Sequence, residues 1–157
     1  MMRPERSFED SRLQQLESLC QELAGSRAKL SLFRHEKSDD MVAIVEPYNA
    51  KAAKIDLRLE LEFGVYLLLG RASPFEVPFK GGYYTRSGWL DEVRDFCIAV
   101  IAGNFQEKLI LVRGEVKGSD HQLELPGGKK IIEHWRGPGI IAPWTRKEVQ
   151  LIRYEPY

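Results

Sequence analysis

Three histidines, two cysteines and a scatter of carboxylates are the residues in this 157-residue chain whose types could do chemistry. A metal site assembled locally needs spacings such as His-x-x-x-His, Cys-x-x-Cys or Glu-x-x-His, which bring ligands to one face of an element. His35, His121 and His134 lie on separate strand-like segments with none of those spacings, so no metal is expected. His134, between Glu133 and Trp135, reads as a surface histidine, because neighbours on a strand face opposite ways. Nucleophilic catalysis has no better support. There is no Gly-x-Ser-x-Gly elbow, and Cys20 and Cys97 fall on apolar helical stripes rather than at electropositive helix starts that lower a thiol pKa. Glu60, Glu62, Asp91, Glu92 and Glu133 are the carboxylates available for glycoside chemistry, yet a wet strand face or a first helical turn accounts for each. "PGGKK" lacks the spacing of a phosphate loop and separates two strands, so it reads as a hairpin turn.

Residue types suited to binding are more concentrated. "FEVPFKGGYYTRSGWLDEVRDFC", Phe75 to Cys97, brings Tyr83, Tyr84 and Arg86 next to Trp89 at a helix start, where backbone N–H groups favour an anion. Trp135, Trp144, Arg146 and Tyr154 gather near the other end with Arg136, Lys147, Arg153 and Tyr157. Interleaved aromatics and bases are what single-stranded nucleic acid stacks on. They are also the types enriched at protein–protein hot spots. Glu133, Glu148 and Glu155 dilute the basic charge, and 23 Lys and Arg balance 23 Asp and Glu overall, so no net field draws in nucleic acid or an anionic membrane.

These residues must be positioned by elements that the periodicity reveals. Ser7 to Ala24 repeats Leu13, Leu16, Leu19, Cys20 and Leu23 at helical spacing. Gly88 to Ala102 is a second amphipathic helix, with Ser87 as the expected N-cap and Trp89, Leu90, Val93, Phe96, Cys97, Val100 and Ile101 on its apolar stripe. Between them "AKLSLFRHE", "MVAIVEP", "KIDLRLELEF" and "GVYLLLG" alternate with period two, with a hairpin favoured near Glu62 to Gly64. After Asn104 come "KLILVRGEVKG", "HQLEL" and "KKIIEHW", then a Gly/Pro connector over 136–146 and a strand-like tail over 147–154.

The expected fold is therefore α+β in one domain over 1–157: two amphipathic helices on a curved, mainly antiparallel sheet of about seven or eight strands, in the order α-β4-α-β3/4. The opening residues have no apolar h-region, and the longest charge-free run, Phe96 to Gln106, is far short of a membrane span. With two cysteines, these features fit a soluble, reduced, cytoplasmic protein that needs no cofactor. The preferred function is a non-enzymatic protein-interaction domain of the adaptor, chaperone or immunity-protein type. It would bind another protein, or a second copy through a sheet edge or the C-terminal tail, using Tyr83, Tyr84, Arg86, Trp89, Trp135, Trp144, Arg146 and Tyr154. The alternative is a small-ligand binder or enzyme with a pocket between the second helix and the sheet. Weak binding of single-stranded nucleic acid ranks third.

Overall fold

Alternation in "KIDLRLE" drives the first sheet: Ile55, Leu57 and Leu59 are buried, while Asp56, Arg58 and Glu60 between them stay partly exposed. A computed structural model describes residues 4–38, 40–60, 62–80, 88–139 and 141–157. Tyr83, Tyr84, Arg86 and the expected Ser87 cap lie outside the described residues. The elements run α1 (Pro4–Ala24), β1 (Ala28–Arg34), β2 (Met41–Pro47), β3 (Ile55–Glu60), β4 (Gly64–Leu69), β5 (Ser73–Pro78), α2 (Trp89–Ile101), β6 (Phe105–Val112), β7 (Glu115–Glu124), β8 (Lys130–Arg136) and β9 (Glu148–Arg153).

The α+β class holds, with antiparallel pairing between all neighbouring strands in both sheets. The strands do not form one curved sheet. A five-stranded meander, β1-β2-β3-β4-β5, is followed after α2 by a separate four-stranded sheet ordered β8-β7-β6-β9. The order is therefore α-β5-α-β4. The extra strand is β5, whose Pro74 and Pro78 cost nothing there because an edge strand leaves one row of N–H groups unpaired.

The core lies between the inner face of the five-stranded sheet and the two helices. Val45, Ile55, Leu57, Leu67, Leu69 and Val77 meet Leu16 and Leu19 of α1 and Phe96, Cys97 and Val100 of α2, all nearly inaccessible to water. Phe75 joins the layers, with its ring 5.1 Å from Phe96 and 5.0 Å from His121. Each such side chain contributes about 1.5–3 kcal/mol by leaving water. Cys20 and Cys97 are free, buried thiols; burial pushes Cys20 up to about 12, and Cys97 well above its usual value, so both behave as small apolar groups. α2 is N-capped at Gly88, where Glu92 N–H donates to the Gly88 carbonyl at 3.1 Å. No described helix is long and apolar enough to cross a membrane.

Gly64 opens β4 after a turn that includes residues 62 and 63, so the chain reverses there and pairs Glu60 with Gly64. A Cβ at Gly64 would lie 2.0 Å from the Val77 carbonyl oxygen on β5. Neither strand can retreat without breaking a ladder. Gly64→Ala is expected to cost about 3 kcal/mol and to lower Tm by roughly 10 °C. Thermal unfolding followed by circular dichroism checks this.

Candidate functional site

The two sheets are joined through a buried carboxylate. In β6 the inward positions read Phe105, Glu107, Leu109 and Leu111, so an acid occupies a place where the alternation calls for a hydrophobe. Glu107 is fully buried and accepts four hydrogen bonds. The Arg71 N–H reaches Oε1 and the Ala72 N–H reaches Oε2, each at 2.8 Å. The Ser73 hydroxyl donates to Oε2 at 2.6 Å, and the Tyr154 hydroxyl donates to Oε1. Three of the donors belong to the β4–β5 turn of the first sheet, and the fourth lies just beyond β9 of the second. A lone buried carboxylate would cost several kcal/mol, so this one is tolerable because its lone pairs are filled.

Gly70 makes the arrangement possible. Its φ of +63° suits glycine, and a Cβ there would lie 2.2 Å from Glu107 Oε1.

Beside Glu107 on β7, Ser119 and His121 are also buried. The Ser119 hydroxyl donates to the Ala72 carbonyl and sits 3.1 Å from His121 Nδ1. Serine, histidine and glutamate are the residue types of a hydrolase, but the geometry does not make one. The Ser119 proton is committed to a carbonyl, all three side chains are at most 2% exposed, and His121 Nε2 has no hydrogen-bond partner among the described residues. Glu107 commits its oxygens to the turn and Tyr154. The group is a seam between sheets.

The sequence-derived binding residues divide sharply. Trp89 packs edge-on against Phe79 with ring centroids 5.1 Å apart, and the Arg12 guanidinium caps that Phe79 ring at 3.9 Å. Trp135 packs half-buried against Ala72, Leu109 and Leu111. Tyr154 stacks on Phe105 at 5.3 Å and gives its hydroxyl to Glu107; burial, followed by that hydrogen bond, pushes its pKa up. These three aromatics support the fold. Trp144 is 87% exposed, and Arg146 is exposed too. The interface of α2 with the first sheet, where the alternative reading placed a pocket, is filled by Val93, Phe96, Cys97 and Val100.

The structure adds two features around β9 to the expected strand-like tail able to pair at a sheet edge. The first is the strand's free edge. β9 pairs with β6 of its own chain on one side and lies at the sheet margin on the other. Val149 and Leu151, 56% and 52% exposed, point from its outer face, next to Ile110 and Lys108 on β6. The second is a cleft of about 840 Å³ between the 50–56 segment, the β4–β5 turn and residues 152–155. Lys51, Lys54, Arg71 and Arg153 line it with Asp56 and Glu155. The acid at an inward position of β6 was the one signal in the sequence that could have located the seam; the cleft assembles from segments about a hundred residues apart, which no local pattern reports. His134 is exposed on the outer face and pairs with Asp120 at 2.7 Å, and His35 Nδ1 accepts from the Lys37 N–H at 3.3 Å.

No protein-family model, curated protein or solved structure matches this chain.

Two stability measurements probe the seam. Glu107→Gln turns an amide N–H₂ toward two of the four donors, and is expected to cost about 3 kcal/mol in urea unfolding. His121 is held down to about 4, mainly by burial and then by the nearby His134 charge. Its folded pKa lies below its unfolded value near 6.5, so the unfolded chain binds the proton first as pH falls. Stability from this residue is complete above pH 6.5 and is lost between there and about pH 4, by at most about 3 kcal/mol. Unfolding at pH 7 and pH 4.5 should show a smaller drop for His121→Gln than for the parent protein.

Proposed function

We propose that this chain is a protein-binding domain that takes up an extended segment of a partner as an additional strand beside β9. The observation that carries the reading is the state of that edge. Natural sheets blunt their edges with prolines, charges or covering elements. β5 carries Pro74 and Pro78, and β8 carries Lys130, Glu133, His134 and Arg136. β1 is covered on one face by α1. The middle of β9, "VQLI", has neither a proline nor a charge, and its two outward hydrophobes are more than half exposed. Exposed apolar side chains on an unpaired strand are the usual receptor for strand addition, in which backbone hydrogen bonds give affinity and alternate side chains give selectivity.

β9 is also held ready. On its inner side Ile152 packs with Ala72, Leu109 and Leu111, and residues beyond the strand are tied down. Glu155 N–H donates to the Lys51 carbonyl and Tyr157 N–H to the Ile101 carbonyl, both at 3.0 Å. The Tyr157 hydroxyl reaches the Ala53 carbonyl at 2.8 Å. A fixed edge loses little conformational freedom when a partner docks.

Charge favours a different protein over a second copy. A two-fold antiparallel pairing centred on Gln150 would set Val149 opposite Leu151 twice, but it would also set Lys147 opposite Arg153 on both flanks. A partner strand with apolar alternation and acidic flanks avoids that repulsion and meets Arg146, Lys147 and Arg153 favourably. The largely exposed Trp144 just before β9 supplies an aromatic anchor of the kind that dominates interface energetics.

A photo-crosslinking residue at position 151, expressed in the native cell, is expected to label one protein within an extended, acid-flanked segment. The same residue at Ile98, exposed on α2, serves as control. Labelling of the same protein should vanish in a Val149→Lys variant whose Tm is unchanged. Equal labelling from both positions, or none from 151, would sink the reading.

A further inference from the structure

We infer that the cleft between the 50–56 segment, the β4–β5 turn and residues 152–155 binds a small anionic molecule with an apolar body. This does not rest on the strand-addition reading: the cleft lies where Lys51 and Ala52 pair with Glu155 beyond β9, and its ligand is recognised by side-chain cations and not by strand pairing. Its volume of about 840 Å³ falls in the range of small-molecule sites, roughly 300–1,000 Å³. Four cations and two acids line it, a balance of 4 − 2 = +2 in a chain whose 23 Lys and Arg equal its 23 Asp and Glu.

The cations are not equally engaged. Lys54 lies 3.6 Å from Asp56 and is partly neutralised there. The Arg71 guanidinium meets the neutral side-chain oxygen of Gln150 at 3.4 Å, and among the described residues neither Lys51 nor Arg153 has an ion-pair partner. Arg71 and Lys51 therefore line the cleft without an ion-pair partner among the described residues, whereas Arg153 lies opposite Gln106 on the strand's other face, with Val149 and Leu151. Guanidinium groups suit carboxylate and phosphate oxygens, which they bind by two parallel N–H bonds.

Below these charges the cleft is apolar. Leu68 and Ile152 contribute aliphatic surface, and Tyr154 contributes a ring whose hydroxyl is already committed to Glu107. A bare anion would leave that surface wet, whereas a molecule with a hydrocarbon segment covers it. The walls are held through their backbone N–H groups. Gly70 N–H donates to the Lys54 carbonyl at 2.9 Å, Glu155 N–H to the Lys51 carbonyl at 3.0 Å, and Arg71 N–H to Glu107 at 2.8 Å. The Glu107 carboxylate thus fixes the backbone from which Arg71 projects, while the Arg71 side chain takes no part in the seam. Binding and folding can be separated by mutation for that reason.

The test is a titration of the ¹⁵N-labelled full chain with hexyl phosphate, inorganic phosphate and hexanol, followed by amide chemical shifts. Hexyl phosphate should give saturable shifts at Leu68, Gly70, Arg71, Arg153 and Tyr154; phosphate should bind the same amides more weakly, and hexanol should not saturate. R71Q/K51Q, whose altered side chains lie outside the seam, should weaken hexyl phosphate by about a hundredfold, at about tenfold for each cation–phosphate pair abolished. Should that double variant unfold, K51Q supplies the same readout for a single ammonium–phosphate pair, with about a tenfold weakening. The inference is overturned if no probe saturates, if the shifts centre elsewhere, or if the charge variants bind as tightly as the parent. Equal affinity for phosphate and hexyl phosphate overturns the apolar half of the ligand.

Discussion

Glu107 sets the constraint on which the rest of the structure depends. A carboxylate buried between two sheets is stable only while all its hydrogen-bond donors are in place, and these come from the β4–β5 turn and from Tyr154 beyond β9. The turn must therefore be tight enough to aim two successive N–H groups at one side chain, which is why a glycine with φ of +63° begins it. β6 must be central, since it has to present Glu107 while pairing with β7 on one side and β9 on the other. The last residues must cross back over the first sheet so that Tyr154 can close the ring of donors. A hydrophobe at position 107 would pack the sheets together at many relative angles; four directed bonds fix one.

That constraint explains why some of the architecture was legible in the sequence and some was not. Helices and single strands follow from local spacing, and the alternation from Ile55 to Leu59 or the stripe from Val93 to Val100 reads directly as an inward face. Whether nine strands make one sheet or two is decided by which edges meet, and alternation carries no information about partners. β5 was hardest to see because its prolines mask a strand that they merely confine to an edge. The seam is formed by residues 70–73, 107, 119–121 and 154, brought together across intervals of tens of residues. Its one local trace is the acid at an inward place in "FQEKLILV".

The same reasoning accounts for the fate of the aromatic residues. Composition marks Trp89, Trp135, Trp144 and Tyr154 equally as large, amphipathic surfaces, and it is the packing that separates them. Trp89 closes the gap between α2 and Phe79, and Trp135 covers the small cluster around Leu109. Tyr154 turns its polar tip into the protein. Burying an aromatic costs little if its polar atom finds a partner, so a small domain uses most of its aromatics this way. Trp144 is left exposed because the Gly- and Pro-rich segment around it offers no regular surface for it to cover.

β9 is where the rigid interior meets the available surface. Its inner residues and the segment beyond it belong to the seam and the core, and its outer residues belong to solvent. A strand anchored only by ladder bonds would fray at a sheet margin, since each residue freed regains about 1–2 kcal/mol of backbone entropy. Here fraying would also pull Tyr154 from Glu107 and Glu155 from Lys51, leaving a buried carboxylate short of a donor. The penalty for that loss is borne by the interior but restrains the edge. An exposed edge normally invites loosening or promiscuous pairing; at β9 the buried charge holds the backbone still, so what the surface presents is one geometry with Val149 and Leu151 in fixed places.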